Sequence, residues 1–143
     1  MARVSTYLNF RRETEAAFEF YRSVFGGEFT MLGRFRDMPQ LGAPPLPPGD
    51  ADLVMHVELP ILGGHVLMGT DAPESMGFRL VPGDNVHINL EPDTRAEADR
   101  LFAALAEGGT VRMPLADMFW GAYFGSLVDR FGVCWMVNCA AKD

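Results

Sequence analysis

Residues 86–109 read VHINLEPDTRAEADRLFAALAEGG, and they contain a strand pattern, a capped helix pattern and a stop signal in succession. Residues 86–90 predict a short strand. Thr94 and, three residues later, Glu97 form a capping box, which predicts a helix from about 95 to 107. Gly108-Gly109 supplies a residue free to adopt the left-handed conformation that ends it. The apolar stripe of this helix is formed by Ala98, Leu101, Phe102 and Leu105.

The same succession of signals occurs in residues 4–27, VSTYLNFRRETEAAFEFYRSVFGG. Residues 4–10 predict a strand, residues 13–25 a helix, and Gly26-Gly27 its end. The order βαβββ then occurs twice, and aligning Tyr21 with Phe102 also aligns Val24 with Leu105 and Thr6 with His87. The strand-like segments that follow the helices are 29–34, 53–61 and 65–70 after the first, and 110–113, 123–128 and 133–138 after the second.

This repeat predicts an α+β fold made of two βαβββ modules with mixed sheets. We expect residues 1–143 to form a single domain, with module A at about 1–71, a linker at about 72–84 and module B at about 85–143. The helix of each module covers one sheet face and leaves the other open, so two modules are expected to pair around a cupped cavity. Pairing within one chain and swapping between two chains both fit the linker, and we expect a homodimer.

The composition narrows the classes of partner. The formal net charge is −7, and the longest basic run is Arg11-Arg12, so we expect no nucleic-acid partner. No apolar stretch approaches the roughly 18 residues of a membrane span, and the N-terminus lacks the apolar segment of a signal peptide, so a cytoplasmic protein is expected. Cys134 and Cys139 would lie about 16 Å apart on one strand, too far for a disulfide, and are predicted to be buried free thiols.

The glycine pair Gly63-Gly64 predicts a two-residue hairpin turn. This turn would pair Leu62 with His65 and Leu59 with Met68. The face expected to pack on the first helix then carries Met55, Val57, Leu59, Ile61, Val66 and Met68. The opposite face, expected to look into the cup, carries His56, Glu58 and His65.

Two segments predict long loops. Residues 37–52 hold five prolines and two glycines, which excludes a helix or an inner strand. Residues 71–85 link the two modules. A lid or dimer-contact role and a plain surface loop are both open for these segments.

The C-terminal run FWGAYFGSLVDRFGVCWMVN, residues 119–138, resembles the Phe-Trp…Phe-Gly…Asp-x-Phe-Gly-Val-x-Trp signature of PhnB-like proteins. Residues 7–10, YLNF, with 20–28, FYRSVFGGE, are similar to the opening of that family, and residues 65–71, HVLMGTD, to its mid-chain strand. The likeness covers nearly the whole chain. It implies the glyoxalase/bleomycin-resistance fold of the vicinal-oxygen-chelate superfamily, normally dimeric. We set aside the methyltransferase name often given to such chains, because the sequence has no glycine-rich strand–turn–helix motif.

Enzymes of this superfamily generally bind a divalent metal through one residue from the first strand and one from the last strand of each module. Carrying those positions over by the internal alignment gives Thr6, Met68 or Gly69, His87 and Met136. Only His87 suits such a metal, because methionine favours soft ions. We therefore expect no metal and no other cofactor. If a divalent metal is bound, the ligands expected are His87, His56 and Glu58.

The resemblance and the aromatic content together indicate a small-molecule protein. We expect the ligand pocket to be lined by His56, Glu58, His87, Trp120, Tyr123 and Phe124. The first hypothesis is a metal-free protein that binds a small, partly apolar molecule in a dimeric cup, as drug-sequestering members of the superfamily do. The alternative is a metal-dependent glyoxalase-type lyase or isomerase, or a dioxygenase. The sequence leaves the catalytic residues, and whether there are any, open.

Overall fold

The computed structural model describes residues 2–37 and 46–140. Residues 38–45, the centre of the proline-rich loop predicted at 37–52, lie outside the described residues. The chain divides into two compact units, Met1–Val81 and Pro82–Asp143. Among the described residues, no helix combines the length and the apolar character that crossing a bilayer requires.

The first unit is a four-stranded sheet with one helix. Its elements are β1 (Thr6–Phe10), α1 (Thr14–Phe25), β2 (Met31–Arg34), β3 (Val54–Pro60) and β4 (Val66–Asp71). The strand order is β1-β4-β3-β2, with β1 and β4 parallel and the other pairs antiparallel. The helix contacts β3 and β4, so it covers one face of the sheet.

The second unit repeats this arrangement. Its elements are β5 (Ile88–Leu90), α2 (Arg95–Ala106), β6 (Thr110–Asp117), β7 (Tyr123–Val128) and β8 (Cys134–Cys139). The strand order is β5-β8-β7-β6, again with one parallel pair, β5 and β8. The predicted βαβββ repeat, α+β and mixed in its sheets, is therefore confirmed. Strand β6 extends beyond its predicted end through Pro114 because an edge strand tolerates a residue without an amide hydrogen.

The two helices correspond residue by residue. Each has 12 residues, and the predicted alignment of Tyr21 with Phe102 also places the first and last residues of α1 on those of α2. Ala17 and Ala98, equivalent in this alignment, are both fully buried. The predicted cap of α2 is present, because Thr94 Oγ1 accepts a hydrogen bond of 3.1 Å from the Glu97 amide.

The α1 helix packs on β4 at a glycine. A Cβ atom at Gly69 would lie 2.5 Å from Cε1 of Phe18, closer than two carbon atoms can approach. Gly125 of β7 stands in a similar relation to Phe102 of α2, at 2.8 Å. Glycine therefore lets each helix lie close against its sheet, and the two contacts identify the helix-covered faces.

Two buried carboxylates hold the ends of these elements. Asp71, 2% exposed, accepts hydrogen bonds from the amides of Thr14, at the start of α1, and Val54, at the start of β3. Asp129, 4% exposed, accepts hydrogen bonds from the amides of Phe131 and Val133 in the turn after β7, and also from the indole of Trp135. Each carboxylate thus accepts hydrogen bonds from backbone amides that would otherwise lack a partner at the start of a helix or strand or in a turn.

The predicted register of the β3–β4 hairpin is wrong by one residue. Leu59 pairs with Leu67 rather than Met68, and Ile61 donates to the carbonyl oxygen of His65 around a three-residue loop, Leu62–Gly64. A shift of one residue turns the following strand over. Met68 therefore shares a sheet face with Glu58, whereas His65 falls on the opposite face.

Both cysteines are buried and free, as predicted. They lie at the two ends of β8, with Cys134 paired to Val128 and Cys139 to Tyr123. Trp135, between them, is fully buried and belongs to the core of the second unit.

Candidate functional site

The helix-free face of the first sheet carries a row of four side chains, one from each strand. Tyr7 of β1 lies beside Met68 of β4, Met68 beside Glu58 of β3, and Glu58 beside Met31 of β2. Directly paired residues of neighbouring strands project from the same face. The row therefore combines a phenol, a carboxylate and two thioethers, and we call it the Tyr7 row.

His56 links the two polar members of this row. Its Nδ1 atom lies 2.9 Å from the Tyr7 hydroxyl oxygen, and its Nε2 atom lies 2.8 Å from Oε2 of Glu58. The imidazole and phenol rings are 5.5 Å apart between centroids. Because both ring nitrogens have a partner, the imidazole is held in one orientation, as a histidine between an acid and a hydroxyl is in many proton-handling sites.

The exposure of the three groups increases toward Tyr7. The side chains of His56 and Glu58 are 17% and 24% exposed, whereas Tyr7 is 47% exposed. Burial, and then the negative charge of Glu58, raise the pKa of the Tyr7 hydroxyl, while a hydrogen bond from Thr70 acts in the opposite direction. Tyr7 thus remains protonated at neutral pH.

Of the predicted pocket residues, the structure joins His56 and Glu58 directly. His87 belongs to the second unit, just before β5, and is half-buried. Trp120, Tyr123 and Phe124 also belong to the second unit. Sequence reasoning missed Tyr7, although it lies within the strand predicted at residues 4–10 and therefore had to project from one of the two sheet faces. The parallel pairing of β1 with β4, which brings Tyr7 to His56, has no local signature.

Tyr123 and Phe124 point to opposite faces of the second sheet, as strand alternation requires. The Tyr123 hydroxyl donates to Asp99 of α2 at 2.6 Å, and its ring stacks under the Arg95 guanidinium at 4.6 Å. The hydrogen bond to Asp99, and then burial, raise the pKa of Tyr123. Phe124 instead contacts Trp120, edge to face, with ring centroids 6.0 Å apart.

The helix-free face of the second sheet therefore includes Phe124, and its cross-strand partner is Asn138. Trp120, in contact with Phe124, is 54% exposed. Within the described part of the chain, the side-chain oxygen of Asn138 is one of two buried side-chain polar atoms without a hydrogen-bond partner. This face thus offers aromatic surface and an amide, in contrast to the charged network of the Tyr7 row.

The residues at the superfamily's metal positions do not fit a hard or borderline divalent ion. Thr6, taken from the internal alignment, pairs with the fully buried Leu67 and binds His65 at 2.9 Å, so the neighbouring Tyr7 occupies the helix-free face. In the second sheet the pair Asn89 and Met136 corresponds to the pair Tyr7 and Met68 of the first sheet. Within residues 2–37 and 46–140, no group of three or more His, Cys, Asp or Glu side chains could hold a metal ion. The metal-free expectation nevertheless stays a prediction.

Comparison with known proteins gives the family and the fold that this chain resembles. A family model described as 3-demethylubiquinone-9 3-methyltransferase matches residues 2–138. Protein PA1353 from Pseudomonas aeruginosa is 39% identical, with a TM-score of 0.83, over 97% of this chain and 98% of its own. The PhnB protein from Bacillus cereus, given the same methyltransferase description, is 26% identical, with a TM-score of 0.77, over 97% and 100%.

A more distant likeness shows the fold alone. A glyoxalase/bleomycin resistance protein/dioxygenase family enzyme from Burkholderia phytofirmans PsJN is 20% identical, with a TM-score of 0.61, over 95% of this chain and 98% of its own. The two sheets, each with one helix, match that fold. The family model covers almost the whole chain, so the chain belongs to the PhnB-like family described as 3-demethylubiquinone-9 3-methyltransferase, and its fold is that of glyoxalase/bleomycin-resistance proteins.

Proposed function

We propose that the protein binds a small, partly apolar molecule at the helix-free faces of its sheets, as a homodimer and without a resident metal. The observation that carries the proposal is the Tyr7–His56–Glu58 hydrogen-bonded chain, which lies on a sheet face beside two methionines. A polar network of this kind beside apolar side chains is typical of sites that orient a ligand by a few polar groups.

The exposed apolar surface supports the partly apolar character of the ligand. Tyr7 is 47% and Met31 46% exposed, and both belong to the Tyr7 row, so this exposed apolar surface lies beside the polar network. Methionine adapts its shape to different ligands because its side chain is flexible and polarisable. Covering about 200 Å² of apolar surface would contribute roughly 5 kcal/mol before the cost of association, so we expect fragments to bind no more tightly than about millimolar.

The binding proposal is tested by nuclear magnetic resonance of the methionine methyl groups. Protein carrying ¹³C at the methionine ε-methyl groups gives separate signals, and Met31 and Met68 are assigned by substitution with leucine. Small aromatic fragments at millimolar concentration should shift these two signals in a saturable way. Absence of a saturable shift at both methionines, across a set of such fragments, would contradict binding at the first sheet.

The dimer proposal is supported by apolar side chains that are exposed on the second unit. Phe119 is 97%, Val86 75% and Trp120 54% exposed. Phe119 and Trp120 contact each other edge to face, so they form contiguous exposed apolar surface, which is typical of protein–protein interfaces. Analytical ultracentrifugation should give a dimer at micromolar concentration, and a stable monomer there would contradict this part of the proposal.

The metal proposal is tested by elemental analysis of protein purified without chelators. We expect less than stoichiometric zinc, iron and nickel, because thioether and amide groups at the superfamily positions bind such ions weakly. About one metal per chain would favour the alternative, a metal-dependent lyase, isomerase or dioxygenase. His87, His56 and Glu58 would then be substituted first, to see whether the metal is lost.

The methyltransferase description of the family is a separate possibility. The described residues form two small mixed sheets rather than a doubly wound parallel sheet with a glycine-rich turn, which is the usual site for a nucleotide-like cofactor. We therefore propose binding without methyl transfer. Isothermal titration with S-adenosylmethionine should show no heat of binding, and a saturable signal would reverse this view.

A further inference from the structure

We propose that the Tyr7 row selects ligands that carry a hydroxyl donor, such as a phenol or an alcohol on an apolar body, over matched ligands that can only accept. The inference rests on the proposed binding function and adds the chemical class of the ligand. The selecting atom is the hydroxyl oxygen of Tyr7, which is the most exposed residue of the Tyr7–His56–Glu58 chain.

The direction of the hydrogen bonds follows from what each group can donate. A carboxylate only accepts, so Glu58 requires a proton on His56 Nε2, 2.8 Å away. In a neutral imidazole the other nitrogen, Nδ1, is then an acceptor. The Tyr7 hydroxyl, 2.9 Å from Nδ1, must donate its only proton inward to His56. Its oxygen therefore offers a ligand no proton; the hydrogen bond from Thr70 uses one of its two lone pairs and leaves the other to accept from a ligand.

The surroundings of His56 keep this arrangement. The neighbouring strands place Met68 and Thr70 of β4, and Gly33 of β2, on the side of Tyr7 and Glu58. Among the described residues, the ionisable groups hydrogen-bonded to His56 are the Glu58 carboxylate and the Tyr7 phenol. A hydroxyl donor would meet a free lone pair, whereas a ligand ether or carboxylate would meet a second acceptor and, for a carboxylate, the charge of Glu58.

The test compares two probes of almost equal shape. 4-Ethylphenol offers a hydroxyl donor, and 4-ethylanisole offers an ether oxygen in its place. Both are titrated at pH 8, and binding is followed at the Met31 and Met68 methyl signals. We expect 4-ethylphenol to bind about fivefold more tightly, which corresponds to one hydrogen bond to a neutral acceptor.

Two variants show whether Tyr7 is responsible. Tyr7→Phe should bring the affinities of the two probes within about twofold of each other. Tyr123→Phe is the matched control, because Tyr123 donates to Asp99 on the helix side of the other sheet, and it should keep the fivefold preference. A preference that survives Tyr7→Phe would overturn the assignment.

The outcomes separate this inference from the binding proposal. If both probes bind with equal affinity, or 4-ethylanisole binds more tightly, the selectivity is wrong and binding stands. If neither probe shifts the methyl signals, the binding site itself fails. A second measurement needs no variant: ¹⁵N spectra of the imidazole at pH 8 should show the proton on Nε2, and a proton on Nδ1 would overturn the inference.

Discussion

Substitution of Asp129, a buried residue in the turn between β7 and β8, should strongly destabilise the second unit. One oxygen of this carboxylate accepts from the amides of Phe131 at 2.8 Å and Val133 at 3.0 Å, and the other accepts from Trp135 Nε1 at 2.9 Å. Asp129 is 4% exposed and Trp135 is fully buried, so water cannot replace the last of these bonds without disrupting the core. We therefore chose Asp129→Ala and Asp129→Asn as the test.

The expected magnitudes follow from the number of hydrogen bonds that each change removes. A hydrogen bond to a charged group contributes about 1.5–3 kcal/mol, so loss of three in Asp129→Ala should cost about 5 kcal/mol. In Asp129→Asn, the amide oxygen can keep the two turn amides. Its NH₂ group then faces the indole donor of Trp135, and about 2–3 kcal/mol is lost. Because the free energy of unfolding of a native protein is only about 5–15 kcal/mol, the alanine variant should be close to unfolded.

The assay is urea unfolding followed by tryptophan fluorescence, with Asp84→Asn as the control. Asp84 is 71% exposed and lies 3.6 Å from Arg112, so its substitution should change the free energy of unfolding by less than about 0.5 kcal/mol. Asp129→Asn should also cost less in a Trp135→Phe background, where the indole donor is absent. A loss below 1 kcal/mol in Asp129→Ala would refute the reasoning.

Three further predictions test other parts of the structure by substitution. Gly69→Ala should lower the free energy of unfolding by about 1–3 kcal/mol, measured by chemical unfolding, because its methyl group would overlap Phe18; an unchanged value would contradict the close helix packing. Hydrogen bonds from a serine and then an arginine lower the pKa of Asp50, so its contribution to stability is present above the unfolded pKa of about 3.9 and is lost as pH falls through the lower folded value. Melting temperatures should therefore fall more steeply with acid in the wild type than in Asp50→Asn, and parallel curves would count against this. Tyr123→Ala and Phe124→Ala should differ in unfolding free energy by more than about 1.5 kcal/mol, with Phe124→Ala better tolerated and weaker in fragment binding; equal, large losses would place both residues in the core.

Local patterns in the sequence were sufficient for the order and bounds of most elements. The capping residue Thr94, the apolar spacing of both helices and the glycine pairs act within a few residues of each other, so they can be recognised without knowledge of the fold. The alignment of Tyr21 with Phe102 then predicted that the two helices correspond along their whole length. The free state of both cysteines followed from their spacing on one strand.

The candidate site was predicted only in part. His56 and Glu58 are two apart on one strand, and their shared face followed from alternation alone. The third member, Tyr7, comes from β1, whose parallel pairing with β4 joins segments about 60 residues apart in the chain. For the same reason, the internal alignment selected Thr6 where the structure places Tyr7 on the helix-free face. Which side chains of β1 lie on that face depends on how β1 pairs with β4.

The hairpin shows most directly what tertiary structure decided. The pair Gly63-Gly64 suits a two-residue turn, but the three-residue loop Leu62–Gly64 accommodates it as well, so the local turn does not set the register. Packing against α1 sets the register, because the observed register places the small Gly69 beneath Phe18. That choice puts Met68 beside Glu58 and Tyr7, so the composition of the Tyr7 row was decided by a helix on the opposite side of the sheet.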